Sequence, residues 1–126
     1  MNILIVANGT VKNRSFYKKI IKKANIIIAA DGGADNCIKL GISPKHIIGD
    51  LDSISNKSKE KFKKLIIHDS NQNTTDLEKA IALAKKLDCK SLTIIGAIGS
   101  RIDHTISNII TLFKTKIPSK IIDESN

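Results

Sequence analysis

Short runs of branched apolar residues alternate along this chain with stretches in which apolar positions recur every three or four residues, so strands and helices are predicted in turn. Residues 3–7 read as a strand buried on both faces and ending at the Asn8-Gly9 turn. Ser15 is placed to cap a helix with Phe16, Ile20 and Ile21 on one side and Lys18, Lys19, Lys22 and Lys23 elsewhere. A second strand, 25–30, runs into Asp31-Gly32-Gly33, and a helix over 34–40 ends at Gly41, a natural left-handed terminator. A short strand is predicted at 46–48, a lysine-rich helix at 56–64 and a fourth strand at 65–68. Thr75 and Glu78 form a capping box for a helix whose apolar stripe is Leu77, Ala80, Ile81, Ala84 and Leu87. Residues 91–95 make a fifth strand and 96–100 a glycine-rich turn. Asp103 then caps a helix bearing Ile106, Ile109, Ile110 and Phe113, which stops before Pro118. The alternation predicts an α/β fold: a three-layer, Rossmann-like, doubly wound and mostly parallel sheet.

Composition narrows the class. The 126 residues suit one domain, 41% of them hydrophobic and 26% charged, as in a soluble globular chain. We expect that domain over 1–118, with 119–126 a tail or the start of a second, β-rich domain. No apolar run reaches the length of a membrane span, and the N-terminus lacks the pattern of a signal peptide, so a cytoplasmic protein is expected. Cys37 and Cys89 stand far apart in no Cys-x-x-Cys pair, which reads as two reduced thiols. Lys and Arg number 21 against 12 acids, a net charge of +9 that raises the question of a polyanionic partner. Only Arg14 and Arg101 carry the planar fork that reads bases, and aromatics are 3%, too few for a stacking platform, so no specific nucleic acid is expected.

In open α/β sheets ligands bind beyond the carboxyl ends of the strands, and acids gather there in this basic chain. Asp31 follows the second strand, Asp50 and Asp52 the third, Asp69 and Asp76 the fourth, Arg101 and Asp103 the fifth. Carboxylates so grouped repel unless a cation lies among them. Asp50 and Asp52 are two apart, so extended backbone points both to one side, and an all-oxygen set without Cys or His suits Mg²⁺. Asp31-Gly32-Gly33 can bring backbone N–H groups close to a ligand, a plain turn being the alternative. Gly96-Ala97-Ile98-Gly99-Ser100-Arg101 is neither a Walker A loop nor a dinucleotide fingerprint. Arg101 stands at a helix start, where an anion is favoured. His46, His68 and His104 show no triad or ligand spacing.

Four blocks together resemble thiamine pyrophosphokinases: Ala30-Asp31-Gly32-Gly33-Ala34, Gly49-Asp50-Leu51-Asp52-Ser53, Thr75-Asp76-Leu77-Glu78-Lys79-Ala80, and Gly96-x-x-Gly-Ser-Arg101-x-Asp103-His104. They fall in that family's order and approximate spacing over residues 1–118. The resemblance implies Mg²⁺-dependent transfer of a pyrophosphoryl group from ATP to thiamine, giving thiamine diphosphate and AMP. It implies metal ligands at Asp50, Asp52 and Asp76. Asp31, Gly32, Gly33, Gly49, Gln72, Thr75, Gly96, Gly99, Ser100 and Arg101 would form the nucleotide site, and Asp103 would orient or deprotonate the thiamine hydroxyl. Family members often carry an acid where Asn73 stands, and usually continue into a second β-rich domain that completes the thiamine pocket, commonly across a homodimer. A phosphoesterase on the same acids, with water as nucleophile, and a basic nucleic-acid-binding module are the alternative readings.

Overall fold

A strand apolar on both sides must be covered on both, and the runs Asn2–Val6 (β1), Ile26–Ala30 (β2) and Ser91–Ile95 (β5) accordingly occupy the middle of a sheet. The computed structural model describes residues 1–99 and 101–124. The remaining elements are α1 (Arg14–Lys23), α2 (Gly33–Leu40), β3 (His46–Gly49), α3 (Asn56–Lys61), β4 (Ile66–His68), α4 (Asp76–Lys86), α5 (Ile102–Lys114) and β6 (Ser119–Ile122). The sheet order is β4-β3-β2-β1-β5-β6, with every adjacent pair parallel. Ile3 of β1 lies between Ile26 and Leu92, which sets the central register.

Alternate side chains of β1 enter opposite cores. Ile3 and Ile5 pack with Leu77, Ala80, Ile81 and Ala84 of α4, while Leu4 and Val6 pack with Tyr17 of α1 and with Ala34, Cys37 and Leu40 of α2. Helices therefore cover both faces, as the alternating pattern predicts. The Thr75–Glu78 capping box is present, and Gly41 closes α2 at φ 70°. No helix among the described residues is long and apolar enough to cross a membrane, and both cysteines are free.

Four local expectations change. Asn13, not Ser15, caps α1: its side chain accepts the Phe16 N–H at 3.3 Å, so the helix starts one residue before Ser15. The lysine-rich helix ends at Lys61 and tightens into a 3-10 turn over Lys63–Leu65, which pulls Phe62 into the core. Arg101 occupies the N-cap position of α5, and Asp103 lies within the first turn, where it pairs with Arg101 instead of capping. Residues 119–122 do not leave the domain after Pro118. They pair with β5 as the sixth strand, because Ile121 and Ile122 alternate into the two cores. The apolar stripe of α5 also behaves unlike that of α4: Ile102 is 74% and Phe113 85% exposed.

Gly33 opens α2 directly beneath β1, and a Cβ there would stand 1.9 Å from the Val6 carbonyl oxygen. Backbone, not a flexible side chain, would have to move. Gly33→Ala should therefore lower unfolding free energy by ~1–3 kcal/mol, read from the denaturant midpoint at unchanged m-value.

Candidate active site

The chain leaves β1 toward β2, β3 and β4 on one side and later returns to place β5 on the other, so the connections on either side of β1 diverge at its carboxyl end. A cleft opens at that switch point, as the topology of open α/β sheets requires. Its volume is about 660 Å³. Asn8, Gly9 and Thr10 border it after β1, Gly96, Ala97 and Gly99 after β5, and Arg101, His104 and Asn108 along α5. The far wall holds Asp31, Asp50, Asp52 and Asp76.

These four aspartates each offer a carboxylate oxygen, and the four oxygens lie within 4.8 Å of one another. Local backbone is bent to bring them together. Asp31 has φ 45° and Leu51 φ 68°, conformations costly for residues with a Cβ. Gly49 forms a cradle beneath the group, where a Cβ would meet Asp76 Oδ1 at 2.8 Å and the Asp31 Cβ at 2.9 Å. Asp31 is 1% exposed; its Oδ2 accepts the Ser53 N–H at 3.3 Å, and its Oδ1 has no hydrogen-bond partner.

The electrostatics follow from that crowding. Burial, joined by the neighbouring carboxyls of Asp52 and Asp50 and by the charge of Asp76, pushes the Asp31 carboxyl up to about 8. Burial and then the charge of Asp50 raise Asp76. Asp50 moves down because it accepts the Asp52 backbone N–H, at 3.2 Å. Buried Lys79 helps to compensate: its Nζ lies 3.8 Å from Asp76 Oδ1 and donates to the Asp69 carbonyl at 2.8 Å. A buried oxygen without a donor, set among oxygen ligands only, fits a hard divalent cation such as Mg²⁺.

The opposite wall is built from backbone. The Asn36 amide donates to the carbonyls of Ala7 at 2.7 Å and Gly9 at 2.9 Å, fixing the exit from β1. Gly9 and Thr10 donate their N–H groups to Gly96 and Ile98, and Gly99 donates to Thr105 Oγ1 at 3.2 Å. These N–H groups hold the two loops together and leave anions to be met by the cations lining the cleft, Lys12, Lys39 and Arg101. Arg101 forks onto Asp103 through Nε at 3.1 Å and Nη2 at 2.9 Å, which raises the guanidinium and lowers the carboxyl.

The structure thus brings Asp50, Asp52 and Asp76 together and adds Asp31, which sequence placed with the nucleotide. Thr75, Gly96, Gly99 and Arg101 line the cleft. Gly32 and Gly33 leave no room for a side chain: a Cβ on Gly32 would meet the Asn8 side chain at 2.5 Å and one on Gly33 the Val6 carbonyl oxygen at 1.9 Å. Gln72 is exposed and its amide donates to the Ser70 carbonyl at 3.1 Å. Asp69 stays outside the acid group and accepts the Asn71 N–H. The Asn73 N–H donates to the Asn71 side chain. Ser100 lies outside the described residues. Sequence reading missed Asn36, Lys12, Lys39 and Lys79. Of these only Lys79 left a signal, its position one turn beyond Asp76 on the same helix.

Known proteins share this arrangement of elements. The family described as thiamin pyrophosphokinase, catalytic domain, matches residues 17–122. The thiamine pyrophosphokinase of Bacillus subtilis (strain 168) is 31% identical, over 79% of this chain and 50% of its own length. Thiamine pyrophosphokinase 1 of Oryza sativa subsp. japonica is 29% identical, over 73% of this chain and 44% of its own. The chain spans about half the length of these curated relatives. The crystal structure of thiamine pyrophosphokinase from Bacillus subtilis superposes with a TM-score of 0.83 at 28% identity, covering 98% of this chain and 61% of that one. Thiamin pyrophosphokinase from Candida albicans, at 23% identity, shares the fold with a TM-score of 0.82, covering 98% of this chain and 58% of its own.

The raised Asp31 carboxyl makes a stability prediction with a definite sign. A carboxyl whose pKa is higher folded than unfolded costs stability as pH rises from about 4 toward 8, because the unfolded chain ionises more easily. Asp31→Asn removes that charge, keeps an acceptor for the Ser53 N–H and turns an amide donor toward the remaining acids. In metal-free solution the variant should melt higher than the parent at pH 8. The gap should close as pH falls toward 4, in thermal scans across that range.

Proposed function

Because this chain belongs to the thiamin pyrophosphokinase catalytic-domain family, we propose that it transfers the pyrophosphoryl group of ATP to thiamine, yielding thiamine diphosphate and AMP. One observation carries the reading: a group of four carboxylates, one with an unpartnered buried oxygen, forms one wall of a cleft whose other side carries lysine and arginine. That pairing of charges suits a metal–triphosphate complex better than either a free anion or a free cation.

Asp31, Asp50, Asp52 and Asp76 would hold Mg²⁺. Bound there, it would supply neutralisation of phosphate charge. Lys12, Lys39 and Arg101 meet the phosphate oxygens on the other side of the cleft. The hydroxyl oxygen of thiamine attacks the β-phosphorus, the bond from that phosphorus to the α–β bridging oxygen breaks, and AMP departs. The hydroxyl proton passes to water. Asp103, held as a carboxylate by Arg101, is suited to orient that hydroxyl more than to remove its proton. Positioning and electrostatics carry most of such a reaction.

The same reading makes the working enzyme a cytoplasmic homodimer. Two free thiols and an ATP co-substrate fit that compartment. The exposed Ile102, Ile106, Ile110 and Phe113 beside the cleft supply apolar surface for a neighbour.

Product analysis tests the reaction. With Mg-ATP and thiamine, AMP and thiamine diphosphate should appear in equal amounts, whereas orthophosphate formed without thiamine would support a phosphoesterase instead. Asp52→Asn should lower turnover by about 10²- to 10³-fold, the scale for losing one preorganised electrostatic group.

Binding should divide by ligand. Among the described residues lining the cleft there is no Phe, Tyr or Trp side chain to stack on the thiamine rings, whereas the triphosphate finds both metal site and cations. Calorimetric titration of this 126-residue chain should show Mg-ATP binding more tightly than thiamine.

A further inference from the structure

The loop between β1 and α1 carries Lys12 into the cleft, and its far end is tied to the residues that follow β6. One carboxylate makes the tie. Glu124 Oε1 accepts the Lys12 N–H at 2.5 Å and Oε2 accepts the Asn13 N–H at 2.8 Å. The Tyr17 hydroxyl, on a side chain with no exposed surface, donates to the same Oε1 at 3.3 Å. Burial and then the negative charge of Glu124 push that phenol up to about 12, so it remains a donor throughout the working pH range. The other end of the loop is already fixed, since Gly9 and Thr10 bond to the turn after β5. Between these anchors Val11 is buried in the core and Lys12 faces the cleft.

We propose that Glu124 is a positioning residue, which clamps the β1–α1 loop so that the Lys12 ammonium stands ready for the phosphate oxygens of the nucleotide. The inference rests on the functional reading above, since it takes the cleft's ligand to be a metal–nucleotide complex. Glu124 touches no ligand itself. It sits beyond the sheet edge, 112 positions from Lys12, and acts through the backbone that carries that lysine. A carboxylate is the right group, because it accepts two adjacent N–H groups and a hydroxyl and is favoured at the start of a helix.

Glu124→Gln preserves shape but replaces one acceptor oxygen with a donor, which faces an N–H. The expected result is a roughly tenfold weaker Kd for Mg-ATP by calorimetry. A double-mutant cycle with Lys12→Gln supplies a readout that a purely structural role would not move. If Glu124 works through Lys12, the Glu124→Gln penalty on Mg-ATP binding should largely vanish in the Lys12→Gln background. Unchanged affinity in the single variant, or full additivity in the double, would overturn the proposal. Amide exchange of the unsubstituted chain tests the clamp without nucleotide: Lys12 and Asn13 should exchange slowly, and fast exchange there would also overturn it. Slow exchange at both amides together with no Mg-ATP binding would refute the functional reading and the nucleotide-facing role, leaving the clamp as a fold contact alone.

Discussion

Four carboxylates confined to one small volume impose the constraint around which the rest of this structure is arranged. Like charges at such spacing repel, and at Asp31, the buried member of the group, burial removes the water that would screen them. No single segment could hold them, because they come from the ends of β2 and β3 and from the start of α4. Parallel strands do hold them, since every carboxyl end in such a sheet points to the same edge. The left-handed turns at Asp31 and Leu51 add local strain of about 1–3 kcal/mol each. Two apolar cores, one on each face of the sheet, offset repulsion and strain together. A proton on Asp31 or a cation among the four relieves the repulsion, so the folded chain is built to take up one or the other.

The wall across the cleft obeys a different logic. Its loops are short of side chains and bond to each other through their backbones, with Asn36 bracing the exit from β1. Gly9, Thr10 and Gly99 spend their N–H groups within the protein and do not offer them to an anion. Side-chain positive charge at the cleft comes from Lys12, Lys39 and Arg101. Lysine is a point charge on a flexible stem, so its effect depends on where its backbone is held. That dependence gives long-range supports such as Glu124 functional weight.

Most of the fold was legible because buried parallel strands are continuous apolar runs and because α4 carries its start signal in Thr75 and Glu78. The caps of α1 and α5 were misread for a local reason: Asn13 and Ser15 are both good cap residues, and sequence does not say which side chain turns back on the helix. Pro118 looked like a boundary, yet a proline before an edge strand costs no ladder bond, and Ile121 and Ile122 find core to enter. In the site, the Asp50–Asp52 spacing was readable as a pair. Asp31 was readable as one of the acids at the strand ends, but its direct approach to Asp50, Asp52 and Asp76 was not, because its side-chain direction depends on a left-handed backbone that alternation cannot foresee. Asn36 and Glu124 act through contacts far away in sequence and left no pattern to find.

The two walls also differ in how firmly they are held, and the difference bears on substrate handling. Helix α4, which presents Asp76, buries Leu77, Lys79, Ala80, Ile81 and Ala84 against the sheet. Helix α5, which presents Arg101 and His104, fully buries only Thr111, packs Leu112 partly against the core, and is tied at its middle by Asn108 to the Ala97 carbonyl and in its first turn by Thr105 to Gly99. Local stability follows buried apolar contact, so α5 is the element that opens at lower free energy. The wall that carries the acid group is thereby the firmer of the two, and preorganised charge is worth more than charge that must reorganise. The α5 wall, which carries the Arg101–Asp103 pair, can adjust, and in the proposed reaction that pair would meet phosphate through Arg101 and orient the acceptor hydroxyl through Asp103.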